Sequence, residues 1–219
     1  DVLLIKIPEE LENIEIELAQ AMLKQYPNVR IICHDEGVDG EFRIRNLRIL
    51  ESRDGSTTTQ TRIKEHGFFI HVDPSKTYFS GRLSEQRKMT HKAILKFRER
   101  FQRPLTVFDP YAGVGPSMAY LYTDSDLTEC VYVNDMNPET RDLLETNMNV
   151  FDKKRDADGT YVVGTMDARL LTSSLPETRT MADVLLVNLP HDGIEHLPDL
   201  LPLLSNGQAL LCGWSIIEK

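Results

Sequence analysis

Residues 105–116 read Leu-Thr-Val-Phe-Asp-Pro-Tyr-Ala-Gly-Val-Gly-Pro, and Asp135 stands 20 residues beyond Gly115. An apolar run delivers an acid, then a tight Gly-x-Gly turn, then a helix. That order is the nucleotide-binding corner of a doubly wound sheet. Asp135 closes the next apolar run, Cys130-Val-Tyr-Val-Asn-Asp. An acid there can accept hydrogen bonds from both hydroxyls of a ribose. Met118 occupies the place of the third glycine of the dinucleotide fingerprint. That glycine lets the helix pack close beneath a pyrophosphate, so its loss argues against NAD or FAD and for a nucleoside without phosphates. S-adenosylmethionine is the candidate that fits.

Beyond that corner, apolar and helical segments alternate. Strands are expected near 105–108, 130–135, 160–164, 183–188 and 207–213, with helices near 116–123, 138–149, 168–173 and 193–204. The pattern predicts an α/β, Rossmann-like, mostly parallel sheet. Asp109, Asp135, Asp167 and Asn188 then fall at four strand ends, on the rim where such sheets bind ligands. Five strands are fewer than this kind of sheet usually carries, so the C-terminus is expected to be cut.

Ahead of it, the pattern predicts a strand at 2–7, one helix from Pro8 to Tyr26, and a strand at 29–33. A polar loop follows at 34–40, then strands at 42–50, 57–65 and 68–73, the last two joined at His66-Gly67. A helix at 84–101 leads to Pro104. The expected division is a small α+β module at 1–80, a linking helix at 81–103, and a cofactor-binding domain at 104–219.

The 219 residues, 41% hydrophobic, supply one large core and a smaller one. No apolar run approaches the roughly 20 residues of a membrane span, and no signal segment opens the chain. Cys33, Cys130 and Cys212 are far apart and form no CxxC pair, so neither a metal site nor a disulfide framework is expected. A reducing compartment follows: cytoplasm, or nucleus or mitochondrion in a eukaryote. A chain that opens on Asp1 reads as a fragment. Net charge is −9, yet residues 40–103 hold 15 Lys+Arg against 7 Asp+Glu. This basic segment in an acidic chain is a candidate polyanion face, with Arg87 and Lys88 among its contacts. Solvation of the helix surface is the plainer reading of 84–103.

Asp109 can hold the amino acid end of the cofactor, directly or through water, while the amides of Ala112 to Gly115 approach it. Asp167 can accept from the adenine amino group or cap the helix that follows it. Val187-Asn188-Leu189-Pro190 resembles the (Asn/Asp)-Pro-Pro-Tyr signature of amino-group methyltransferases. There a side-chain carbonyl and a backbone carbonyl orient a planar nitrogen toward the methyl carbon. A plain strand end with a turn is the alternative.

The stretch from His66 to Arg87 resembles the segment before the cofactor domain in the archaeal and eukaryotic tRNA guanine-37 N1-methyltransferases. The blocks at 109–116, 134–138 and 187–190 agree with it, as does Gly40-Glu-Phe-Arg-Ile-Arg45 with the family's small middle domain. The resemblance implies a class I methyltransferase fold, without the family's separate domain for the tRNA elbow. It implies methyl transfer from S-adenosylmethionine to N1 of the guanine beside the anticodon, with the tRNA anticodon loop as partner of a monomer. It places Tyr78, Arg82, Asp109, Tyr111, Ala112, Gly113, Gly115, Asp135, Met136, Asp167, Ala168 and Asn188 around the cofactor. Arg45, Arg82, Arg87, Asn188 and Pro190 join the chemistry. N1 of guanine must lose a proton, which needs a general base. The family glutamate falls on Gln86, and Glu85 precedes it, so either Glu85 takes that role, or another acid does, or the protein is slow or inactive. Three other readings remain: a wybutosine-pathway aminocarboxypropyl transferase on the same fold, a non-catalytic tRNA-binding homologue, and a protein amino-group methyltransferase.

Overall fold

The computed structural model describes residues 1–216. They divide into two compact units, 1–64 with 71–79 and 65–70 with 80–216.

In the first unit, β1 (Val2–Ile5) runs parallel to β2 (Ile31–Asp39), and β3 (Ile44–Ser52) pairs antiparallel to β2. Ile7, Ala19, Leu23, Ile32 and Leu50 form the core between this sheet and α1 (Glu15–Gln25). The single helix expected from Pro8 to Tyr26 is divided. Residues Glu9–Ile14 form a 3-10 turn in which nothing is buried, so no packing draws it into the α-helix. The α-helix begins at Glu15, whose carboxylate is held by Arg48 at 2.5 and 2.9 Å.

The polar loop expected at 34–40 is strand instead. Cross-strand ion pairs, Arg45 to Asp35 at 2.5 Å and Arg48 to Glu36 at 2.8 Å, stabilise a polar ladder that apolar patterning does not reveal. A bulge between Asp35 and Gly37 absorbs the extra residue, with Gly37 at φ 124°.

β4 (Thr61–Glu65) and β5 (Phe68–Val72) form a two-stranded hairpin. His66 and Gly67 both take positive φ, the demand of a two-residue hairpin turn.

The second unit is built on a five-stranded parallel sheet in the order β10-β9-β6-β7-β8. The strands are β6 (Leu105–Asp109), β7 (Thr128–Asn134), β8 (Thr160–Gly164), β9 (Val184–Val187) and β10 (Leu210–Gly213). The helices are α2 (Ser84–Arg98), α3 (Met118–Leu121), α4 (Arg141–Asp152), α5 (Leu171–Ser174) and α6 (Gly193–Leu200). α2 stops three residues short of its expected end, where Arg98 turns its guanidinium to the Phe101 carbonyl at 2.7 Å. Phe108, Leu171, Ala182, Leu185 and Leu200 bury one face of the sheet. Arg103 meets Asp183 at 2.7 and 2.8 Å, and the same carboxylate accepts from the Thr106 amide. The start of β6 is thereby pinned beside β9. Among the described residues no helix is long and apolar enough to cross a membrane.

Candidate functional site

β6 ends at Asp109 and β7 at Asn134, so both loops open on the same rim of the sheet. Gly113 and Gly115 sit at φ 56° and 74°, where a side chain is strained. A Cβ on Gly115 would also lie 2.8 Å from Leu144 Cδ1. The turn is braced from outside. Asn147 donates to the Val114 carbonyl at 2.8 Å. Asn134 donates to the carbonyls of Pro110 at 3.1 Å and Met166 at 2.9 Å, and accepts from the Met166 amide at 3.1 Å. One buried amide side chain thus ties three strand-end loops together. Asn134 stands in the block 134–138 that the resemblance picked out, but neither its bracing role nor that of Asn147 could be read there, because a buried asparagine looks like a surface residue until its partners are known.

Asp135 accepts from the Gly113 amide at 2.8 Å and from the Asn137 amide at 3.0 Å, one on each oxygen. Each oxygen keeps a lone pair for another donor. Burial raises its pKa while the two amides oppose the rise. The amides of Ala112, Gly113 and Gly115 are already bonded to the Asn134 carbonyl, Asp135 and the Ala112 carbonyl. Of the four amides from Ala112 to Gly115 expected to approach a ligand, these three thus already have partners within the fold, and the turn presents a carboxylate beside them.

Asp109 lies beneath it, 1% exposed, and its Oδ1 has no hydrogen-bond partner among the described residues. Burial pushes its pKa up to about 7, against a bond from the Tyr111 amide, and the Asp135 charge adds to the rise. A buried carboxyl with an unused oxygen fits a cationic group, such as the ammonium of an amino acid.

Asp167 caps the turn after β8, accepting from the Arg169 amide at 3.0 Å, and its carboxylate is gripped by the Arg169 guanidinium. That bond holds its pKa below the usual carboxylate range. Ala168 is buried in the core against the sheet, and Met136 is half-buried beside Asp135. Asn188 follows β9, half-exposed. The Pro190 carbonyl accepts from the Ile216 amide at 3.0 Å, which leaves less of it for a ligand than expected. Tyr111 meets His196 of α6 at 2.7 Å, a contact that spacing did not indicate.

At the start of α2, Arg82 and Gln86 are exposed. Glu85, with 69% of its side chain exposed, lies 3.6 Å from His66 Nε2. Arg87 differs from the expected RNA contact. Its side chain is 10% exposed and pairs with the buried Glu65 at 2.8 and 2.5 Å. Glu65 also accepts from the Tyr120 hydroxyl at 2.9 Å. Arg87 is therefore a structural cation of the second unit. In the first unit Arg45 is held by Asp35 and Tyr78 is 55% exposed.

A parallel sheet of this order, with an acid beneath a glycine turn and a second acid ending the next strand, defines a class I methyltransferase fold. Residues 61–210 match the TRM5/TYW2 methyltransferase domain and residues 1–55 the TYW2 N-terminal domain. The chain belongs to the TRM5/TYW2 methyltransferase family. Among its relatives is the tRNA (guanine(37)-N(1))-methyltransferase Trm5b of Pyrococcus abyssi, 30% identical over 90% of this chain and 53% of the relative. The tRNA (guanine(37)-N(1))-methyltransferase of Ciona intestinalis is 29% identical over 88% of this chain and 40% of its own length. The crystal structure of Trm5b from Pyrococcus abyssi superposes with a TM-score of 0.68 at 28% identity, covering 95% of this chain and 56% of that one. The chain thus spans about half the length of the relatives it matches.

Proposed function

We propose that this chain transfers methyl from S-adenosylmethionine to N1 of guanine 37 in tRNA, with the anticodon loop as its partner. The observation that carries the reading is Asp109, a buried carboxyl with an unused oxygen beneath the glycine turn. It suits the cofactor's ammonium, and the free lone pairs of Asp135 suit the ribose hydroxyls. Family membership and the names of the relatives support the same choice. The cofactor supplies an activated methyl on a sulfonium. The residues of this chain orient the base and move its proton. Asn188 accepts from the exocyclic amine, Glu85 takes the N1 proton, and Arg82 faces the charge that develops on O6.

A second reading rests on the match of residues 1–55 to the TYW2 N-terminal domain. It is aminocarboxypropyl transfer from the same cofactor. One assay separates the two: S-adenosylmethionine is incubated with transcribed tRNA bearing G37 or A37, and the product nucleosides are weighed. N1-methylguanosine from G37 alone is expected. An aminocarboxypropyl product gives the site to the second reading. Cofactor binding without N1-methylguanosine overturns the first reading.

A further inference from the structure

We propose that the exposed ridge of α2 is a docking surface for an RNA phosphate backbone, formed by Lys88, Lys92 and Lys96 with Met89 between them. This rests on the tRNA reading for the identity of the RNA, though not for the existence of the surface. The three lysines follow at four-residue steps, so they rise about 12 Å along one ridge of the helix. Each step of about 6 Å is comparable with the distance between neighbouring phosphates of one strand. Lys92 and Lys96 are exposed and Lys88 half-buried. The opposite face buries Ile94 and Phe97, so the ridge is held outward.

Among the described residues none of these lysines forms an ion pair. Glu85, the one acid of α2, lies at its first turn and faces His66 instead. Seven arginines of the chain, Arg87 of the same helix among them, are paired to carboxylates, whereas these lysines, like the isolated Lys6, Lys24 and Lys153, are not. What sets the ridge apart is that three such cations follow one another on a single helix face. In a chain of net charge −9, an unneutralised basic ridge is not a requirement of solubility. Met89 has 68% of its surface in water. Set among cations, its thioether offers an apolar contact to a sugar or an unstacked base. An RNA strand, with regular charge and apolar sugar and base faces, fits this combination better than an acidic peptide does.

The test compares Lys88→Gln/Lys92→Gln/Lys96→Gln with the control Lys6→Gln/Lys24→Gln/Lys153→Gln, which removes the same charge from other exposed positions. Binding to unmodified tRNA is measured across a salt series. The ridge variant is expected to lose about 2 from the slope of log affinity against log salt, and about tenfold or more in affinity at low salt. The control should lose much less. Unchanged S-adenosylmethionine affinity establishes that the ridge variant is folded. Equal losses in both variants, or an undiminished slope in the ridge variant, overturn the proposal. Equally tight binding of polyglutamate at matched charge would also overturn it, in favour of an acidic protein. Ridge-dependent tRNA binding without a methylated G37 leaves the surface standing and removes the functional reading.

Discussion

The turn at 110–117 is held by buried side chains, whereas the first turn of α2 presents Glu85 and Gln86 to water. In the former, Asn134, Asn147 and Asp135 fix the backbone before any ligand arrives. In the latter, Arg87 alone is anchored deeply, through Glu65. Binding of a cofactor gains from such pre-organisation, because little ordering remains to oppose it. A proton acceptor has a different need, since its carboxylate must meet a substrate that comes from solvent. The contrast explains why the corner is legible in sequence and the acid of α2 is not. Glycines and strand-end acids leave a spaced pattern, while an exposed glutamate looks like any other.

The largest effect that would break this contrast is at Glu65. Glu65→Ala leaves Arg87 buried without its partner and should cost about 3–5 kcal/mol of stability, read by urea denaturation. A loss below about 1 kcal/mol would mean that α2 is anchored elsewhere.

The next concerns the base. Glu85→Gln should slow methyl transfer by about 10²–10⁴ while cofactor affinity stays constant, since only proton removal is lost. A rate gain of that size from Gln86→Glu would instead show that the native site lacks its acceptor.

A smaller effect, on pH dependence, sharpens the other side. Asp109 has its folded pKa raised from 3.8 to about 7. The folded state therefore keeps a proton that the unfolded chain releases, and stability falls as pH rises from about 4 to 7. Asp109→Asn removes that loss. Its advantage over the parent should be absent near pH 4, grow to pH 7 and level off, reaching on the order of a few kcal/mol. Calorimetry should show weaker S-adenosylmethionine binding in the same variant. A pH-independent difference in stability would place the ionisation elsewhere.

The smallest effect is at Asp135. Asp135→Ala should weaken cofactor binding by about 1–3 kcal/mol, the scale of lost hydrogen bonds to a charged group. Unaltered affinity would remove this residue from the site.

The parallel sheet, its strand order of appearance and the acid–glycine–acid corner were all determined by sequence alone. Each rests on local regularities: apolar runs that end in an acid, glycines where the backbone needs positive φ, and helical segments between strands. The tertiary structure decided what depends on partners distant in the chain. It turned the polar run at 34–39 into strand, because Arg45 and Arg48 on β3 pair with its acids. It gave the helix expected from Pro8 to Tyr26 a 3-10 first half, where no face is buried, ahead of the α-helix that starts at Glu15. It took Arg87 from the RNA surface to Glu65, 22 residues away. It also showed which lysines have no carboxylate to meet. A charge has a local sequence but no local fate, since its energy is set by whichever groups the fold brings within a few ångströms.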